Sequence, residues 1–445
     1  MPKPECPFRA RGVLLAFWAV LFLAAAPERR VSSSPAEAVG PEGGAVRALA
    51  YHPSDTATIY AAVASSYSLS TIFKSRDGGR RWTAVSLIRD NVFDLTVDPM
   101  NNRVLYALAD DGVYKSTTGA EEAEGGGGAS AWTRASLGKD RHGRLGKIFV
   151  HPSDPKILYA SGNYIYKWDP YREAIVSFKS VDGGMTWKTQ VVSKNSFYGD
   201  TIGFAMSPSQ PNILYISGYY GIAPHTPNFG VFRSTNGGQS WARLPSWEPL
   251  RPAGSIVVHP KDPDRVWVTD GSYVQASRDG GRTWRQSSTT LDFGDLAVDA
   301  SNPETLYCGS DFENYSSKSV DGGLSWTKGT GVYGECLKML VIDRGPNPGR
   351  TVFFGSLGGV FRSANAGATW TDSYSGIKKT VIPALAVAPS TPSVLYAQAR
   401  HLGVMKSPDA GKSWQRLGEI SRCAGFMKIA VHPANAKDVV VLSGG

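Results

Sequence analysis

A chain of 445 residues carries 47 lysines and arginines against 38 aspartates and glutamates, a formal charge of +9, with 49 glycines, 28 prolines and four cysteines. The basic residues are scattered rather than gathered into a run that tracks a phosphate backbone, so nucleic acid is not expected as a partner. Glycine and proline punctuate short runs of Val, Ile, Leu, Tyr and Phe, which is the composition of many short strands joined by turns and not of helices.

At the N-terminus Lys3, Arg9 and Arg11 precede an apolar run from Val13 to Ala26, and Ala36-Glu37-Ala38 offers a small-x-small cleavage site before Val39. Residues 1–38 therefore read as a signal peptide or an N-terminal anchor, and the remainder is expected to be secreted or periplasmic. The run is too short to span a bilayer comfortably, so membrane contact is expected only through an uncleaved anchor. Five basic and three acidic residues precede Val39, which leaves +7 on the rest.

From Leu49 two phrases alternate. The first is an apolar strand, a turn on His-Pro, Asp-Pro or a close variant, and a second apolar strand, as in LAYHPSDTATIYAA from Leu49, LTVDPMNNRVLYAL from Leu95 and LAVAPSTPSVLYAQ from Leu385. The second phrase is FKSRDGGRRW ending at Trp82, repeated at Trp187, Trp241, Trp284, Trp326, Trp370 and Trp414. A degraded copy starts at Tyr114 and passes through an acidic, glycine-rich insert at 121–128 before Trp132. Each repeat thus supplies four strands: A before the proline turn, B after it, C ending in Lys-Ser or Arg-Ser, and D beginning at the tryptophan.

Tryptophans 42 to 55 residues apart give the period of a propeller blade. A lone four-stranded sheet cannot bury both faces, but radial packing covers each with a neighbour. The second phrase suits the C–D turn: Asp-Gly favours a hairpin, the carboxylate accepts nearby N–H groups, and the indole fills the gap between blades. Asp77, Asp182, Asp279, Asp321 and Asp409, with Asn236 and Asn365 in two copies, are therefore read as structural.

Ser-x-Asp-x-Gly-x-x-Trp, as in Ser319 to Trp326, resembles the Asp-box or BNR repeat of sialidases, sortilin-type receptors, xyloglucanases and photosystem II assembly factors. The resemblance spans roughly 46–445 and implies an all-β propeller of about eight four-stranded blades, or the N-terminal part of a larger propeller. It also implies that the boxes sit at the blade edge, away from any active site. The repeats do not close evenly, because nine A–B phrases accompany eight C–D phrases and the last repeat is incomplete. In one arrangement the final A–B pair joins the first C–D pair to close an eight-bladed ring and leaves the first A–B pair redundant. In the other the sequence is the start of a longer propeller.

Function is expected on the face carrying the non-repeating B–C and D–A loops. The third repeat brings Tyr164, Tyr166, Trp168, Asp169, Tyr171, Arg172 and Glu173, the fourth Tyr219, Tyr220 and His225, and the sixth Asp311, Glu313 and Tyr315. Between repeats lie Trp247, Glu248 and Arg251, then Asp292 and Asp295, then Glu335. Aromatics interleaved with charges suit a glycan or peptide partner, since rings stack while charges orient; the alternative is that the tyrosines merely pack the loops. The leading expectation is an exported, non-catalytic binding or assembly module for a glycan or protein partner. The second is a glycoside hydrolase of sialidase-like or xyloglucanase-like type, although no Arg-Ile-Pro and no assignable arginine triad support the former. Because His52, His151, His259 and His432 share one turn position, they read as repeat furniture; no metal site and no cofactor are expected. Cys308 and Cys336 fall in neighbouring repeats and are candidates for a disulfide in an exported protein.

Overall fold

The computed structural model describes residues 42–443 except 67–68, 122–130, 138–141, 166–172, 194–198, 224–225, 246–253, 291, 311–313, 344–349, 376, 379, 400–401 and 419–426. Residues 1–38, expected from sequence to be a signal peptide or an N-terminal anchor, lie outside the described residues. Eight four-stranded antiparallel sheets follow one another along the chain, at 45–88, 92–135, 142–191, 199–243, 256–286, 296–329, 336–372 and 384–418. Each pairs its strands in the order A-B-C-D, so every sheet is one sequence repeat and the expected blade is the observed one.

Seven of these blades close a ring. Their inner strands pack side by side in chain order, and Cys336–Asp343 of blade 7 returns to Ala45–His52 of blade 1. Val46, Leu49 and Ile59 of blade 1 share a core with Ile342, Phe353 and Val360 of blade 7. Trp82 in blade 1 donates its Nε1 hydrogen to the Ser373 carbonyl beyond blade 7 at 2.6 Å, and the Gly43 amide bonds the Ile377 carbonyl at 2.6 Å. Closure by the last A–B pair is therefore corrected: strands Met427–His432 and Asn435–Ser443 pair only with each other, and the first A–B pair belongs to its own complete blade.

The eighth sheet has the same residues as a ring blade without the same burial. In ring blades the alternate A-strand positions pack on the preceding blade, and Leu49, Leu95 and Leu296 are 2%, 4% and 3% exposed. The equivalent Leu385 and its neighbour Val387 are 60% and 51% exposed, while Met427–His432 packs beside Ala384–Val387.

The box turns behave as expected, with one refinement. In blade 1 Ser75 donates its hydroxyl hydrogen to Asp77 Oδ1 at 2.8 Å and accepts the Gly79 amide at 2.8 Å, while the Arg80 and Arg81 amides bond Asp77 Oδ1 at 2.9 and 3.0 Å. Asp182, Asp279, Asp321 and Asp409 repeat this, each with a hydroxyl four residues on donating to its other carboxylate oxygen. Asn236 and Asn365 reverse that last bond, their amide nitrogens donating to Ser240 and Thr369 at 2.8 Å. The positive φ falls on the two residues after the Asp or Asn, such as Gly78 at 71° and Gly79 at 83°, and not on the Asp or Asn itself.

A second repeated device couples blades. The C-strand Lys or Arg lies over the buried B-strand aromatic, as Lys115 does 5.4 Å from the Tyr106 ring, and both reach the next blade. Lys115 Nζ and Tyr106 OH donate to the Gly183 carbonyl of the blade 3 box at 2.8 and 3.2 Å. The same pairing recurs at Tyr60, Tyr159, Tyr215, Tyr307 and Tyr396, whereas in blade 5, whose C strand has Ala276 at that position, Arg265 directly before the B strand lies over Trp267 instead.

Candidate functional site on the ring axis

Where the seven inner strands approach one another, one position recurs in register near the start of each, and in five of the seven blades it lines the same cavity. In register these positions are Ala48, Asp94, Lys147, Gly203, Ser255, Asp295 and Lys338, each followed by an apolar residue. In blades 2 and 7 a bulge directly precedes the position, since pairing skips Phe93 and Leu337, which is how a strand re-aims a side chain.

The four charged residues meet across the ring. Lys147 Nζ of blade 3 lies 3.1 Å from Asp295 Oδ1 beside blade 6, and Lys338 Nζ of blade 7 lies 3.1 Å from Asp94 Oδ1 of blade 2. Each carboxylate also accepts an amide from the next blade, Ile148 N to Asp94 Oδ2 at 3.1 Å and Met339 N to Asp295 Oδ2 at 3.0 Å. Ser255 of blade 5 donates to Asp295 Oδ1 at 2.7 Å and accepts the Leu296 amide at 3.2 Å. Blades 2, 3, 6 and 7 are thereby linked in a closed circuit, with blade 5 attached through Ser255.

Burial alone would push the Asp295 carboxyl up, but Lys147 and Lys338, with the Met339 amide and Ser255, outweigh it and hold the carboxyl below its ordinary value. Burial would likewise lower Lys338, and Asp94 and Asp295 outweigh it and raise the ammonium. Both charges are therefore locked on, and such a carboxylate is not a proton donor near neutral pH. Above the circuit lies a cavity of about 440 Å³ lined by Arg47, Phe93, Phe293 and the exposed Glu335, with the ion pairs in its wall.

Among the loop carboxyls, Asp90 and Asp110 of blade 2 behave differently. Burial pushes both up, and the Asp90 charge pushes Asp110 further. Asp90 is itself fixed by the Asn91 and Asp111 amides, both at 2.8 Å.

Of the residues read from sequence as a binding face, the structure brings Glu335 and Asp295 to this cavity. Tyr315 is buried, with its hydroxyl accepting the Asp292 amide at 2.8 Å and Lys328 Nζ 4.1 Å from its ring centroid. Tyr219 lies against Phe229 of the neighbouring strand with centroids 5.1 Å apart and the rings tilted by 53°, and Glu173 accepts a bond from Asn163 Nδ2 at 3.3 Å. The contacts of these three lie within their own blades or the adjoining loop. Tyr164 and Tyr220 lie in strands whose side chains there are not described, and Tyr166, Trp168, Asp169, Tyr171, Arg172, His225, Trp247, Glu248, Arg251, Asp311 and Glu313 lie outside the described residues.

The sequence reading missed Asp94, Lys147, Ser255 and Lys338. The signal was present: a charged or polar residue stands five places before the turn residue in four of the seven repeats beyond Asp295 itself. Cys308 and Cys336 are both free thiols. Cys308 points into the core shared with blade 5, whereas Cys336 lies against Gly309 on the other face of the same sheet, so the disulfide considered from sequence does not form.

Box turns, four-stranded repeats and a closed ring together define an Asp-box β-propeller. In sequence the chain is similar to xyloglucanase Xgh74A of Acetivibrio thermocellus, 25% identical over 211 residues, or 37% of this chain and 25% of that protein. It therefore spans about a quarter of the length of the curated relatives it matches. In structure it is similar to an ancestral GH74 enzyme, with a TM-score of 0.64 at 17% identity over 88% of this chain and 57% of that one. It is also similar to YCF48 bound to a D1 peptide, with a TM-score of 0.50 at 15% identity over 72% and 93%. At such identities the solved structures speak to fold alone. No family model matches the chain.

Proposed function

We propose that this chain is a non-catalytic binding or assembly module, exported by its leader, that presents the loop-bearing face and axial cavity to a glycan or protein partner. The observation that carries this reading is the condition of the cavity's buried carboxylates. Asp94 and Asp295 are each tied to a lysine and a backbone amide. A glycosidase needs one carboxyl to give a proton and another to act as base or nucleophile; this cavity offers instead a fixed pattern of charge beside two phenylalanines. Both partner classes have counterparts among the similar proteins, one a peptide-bound YCF48 and others xyloglucanases. The test is a glycan array and a pull-down of secreted proteins with wild type and Glu335→Gln. Binding weakened by the rim change, without turnover of any bound glycan, supports the module; absence of any loop-face ligand sinks it.

The second reading, a glycoside hydrolase, is favoured by the xyloglucanase relatives and by the raised carboxyl of Asp110. Hydrolysis of xyloglucan or a sialoside that disappears in Asp110→Asn or Glu335→Gln replaces the first reading with this one.

A further inference from the structure

On the opposite face, the box of blade 5 reads Ser277-Arg278-Asp279-Gly280-Gly281-Arg282-Thr283-Trp284-Arg285. It alone carries arginine before the Asp or Asn, after the second turn residue and after the tryptophan. Between this box and blade 6 lies a cavity of about 250 Å³ whose walls include Arg265, Arg278, Arg285, Trp284 and Leu324.

The three guanidiniums differ in what they have left to give. Arg265 is held in place by Glu304 at 2.7 Å and lies 5.4 Å from the Trp267 ring, with its buried Nε lacking a hydrogen-bond partner. Arg278 and Arg285 are exposed, and among the described residues no ion pair joins either to a carboxylate. Asp279 keeps its charge beside them, but its oxygens are taken by Ser277, the Thr283 amide at 2.9 Å and the Thr283 hydroxyl at 2.6 Å, and it forms an ion pair with neither. Arg265 and, at longer range, Arg278 hold the Glu304 carboxyl below its ordinary value, and two exposed planar forks, neither in an ion pair, border a cavity with an indole and a leucine in its walls. Guanidinium forks match the paired oxygens of a carboxylate or sulfate, and an indole accepts the apolar face of a sugar ring.

We propose that this cavity binds an anionic saccharide unit, a sugar ring bearing a carboxylate or a sulfate ester. The site lies on the face of the box turns and is independent of the loop-face reading above. Titration calorimetry on the full chain uses an oligouronate, a sulfated oligosaccharide, neutral xyloglucan oligosaccharides and poly-glutamate. The uronate and sulfate arms identify which anion is recognised. Tighter binding of at least one of them than of the neutral sugar and poly-glutamate is expected, weakened tenfold or more by Arg278→Ala with Arg285→Ala. Arg80→Ala with Arg81→Ala, in the basic box of blade 1, and Glu335→Gln, at the loop face, are expected to change it less than twofold. The proposal is overturned by failure of both anionic sugars to bind, by equal binding of poly-glutamate or the neutral sugar, by insensitivity to the blade 5 changes, or by an equal loss in the blade 1 variant. Loss of loop-face binding in Glu335→Gln with this site intact separates the two readings.

Discussion

Asp295→Asn tests the axial circuit most directly. The substitution keeps the shape and the capacity to accept from Met339 N, but removes the charge facing Lys147, whose side chain is 18% exposed against 11% for Asp295. At 3.1 Å the attraction is about 5 kcal/mol for an effective dielectric of 20, much of it offset by desolvation of both groups. What matters in the variant is the stranded ammonium, and breaking a buried pair on one side costs about 3 to 5 kcal/mol. Lys338 keeps Asp94, so we expect the lower end, about 3 kcal/mol, as a drop in the guanidinium midpoint followed by tryptophan fluorescence. Lys147→Met combined with Asp295→Asn is expected to cost less than the sum of the single changes. The pH dependence has a definite sign. Because the folded carboxyl titrates below its unfolded value of about 3.9, its contribution is complete above that value and is lost as pH falls through the folded one, so the gap to wild type closes in acid. A gap under about 0.5 kcal/mol at neutral pH, within the scatter of ordinary surface changes, refutes the reasoning.

Four further outcomes follow from the same structure. Gly79→Ala places a Cβ 2.4 Å from Phe353 Cε1 across the blade 1–7 seam at a φ of +83°, and is expected to cost about 2 to 3 kcal/mol; Gly271→Ala, at +80° with nothing within 4 Å, should cost only about 1, and equal midpoints for the two would remove the packing argument. Asp182, whose carboxyl the Thr186 hydroxyl and amide hold at about 2, keeps its charge to lower pH than a free carboxylate; its stabilisation is present above about pH 4 and lost as pH falls through about 2, which carboxyl NMR titration checks. Asp182→Asn should preserve the turn, as Asn236 does in blade 4, whereas Asp182→Ala should lower the thermal midpoint. Alkylation in denaturant without reductant should modify both Cys308 and Cys336, since they face opposite sides of one sheet.

The fold was legible because its signal is local and repeated: the proline turn, the Leu-Tyr run and the Ser-x-Asp box each specify a piece of the same sheet, and eight such sheets formed. Ring closure was not, because blades 7 and 8 both carry the full set of repeat phrases; it is decided by packing between Phe353, Trp82 and Leu49, residues far apart in the chain. The axial site was half legible. Asp295 and Glu335 stood out as irregular loop residues, but Lys147 and Lys338 look like ordinary strand-flanking lysines until the ring brings positions from blades 2, 3, 6 and 7 together. Tyr219 and Tyr315 were attractive for the opposite reason: a tyrosine in an irregular loop reads the same whether its ring meets a sugar or Phe229.

Each ring blade is built from one continuous stretch, so successive blades are joined by peptide everywhere except where blade 7 meets blade 1. That junction rests on side-chain packing, the Trp82 indole and a few amide bonds such as that of Gly43. Tension applied between residue 45 and residue 372 is carried first by this junction, with the covalent connectors in reserve. The propeller is in this respect a bracelet with a clasp, and the charges on its axis act as a drawstring that keeps the other blades gathered when the clasp gives.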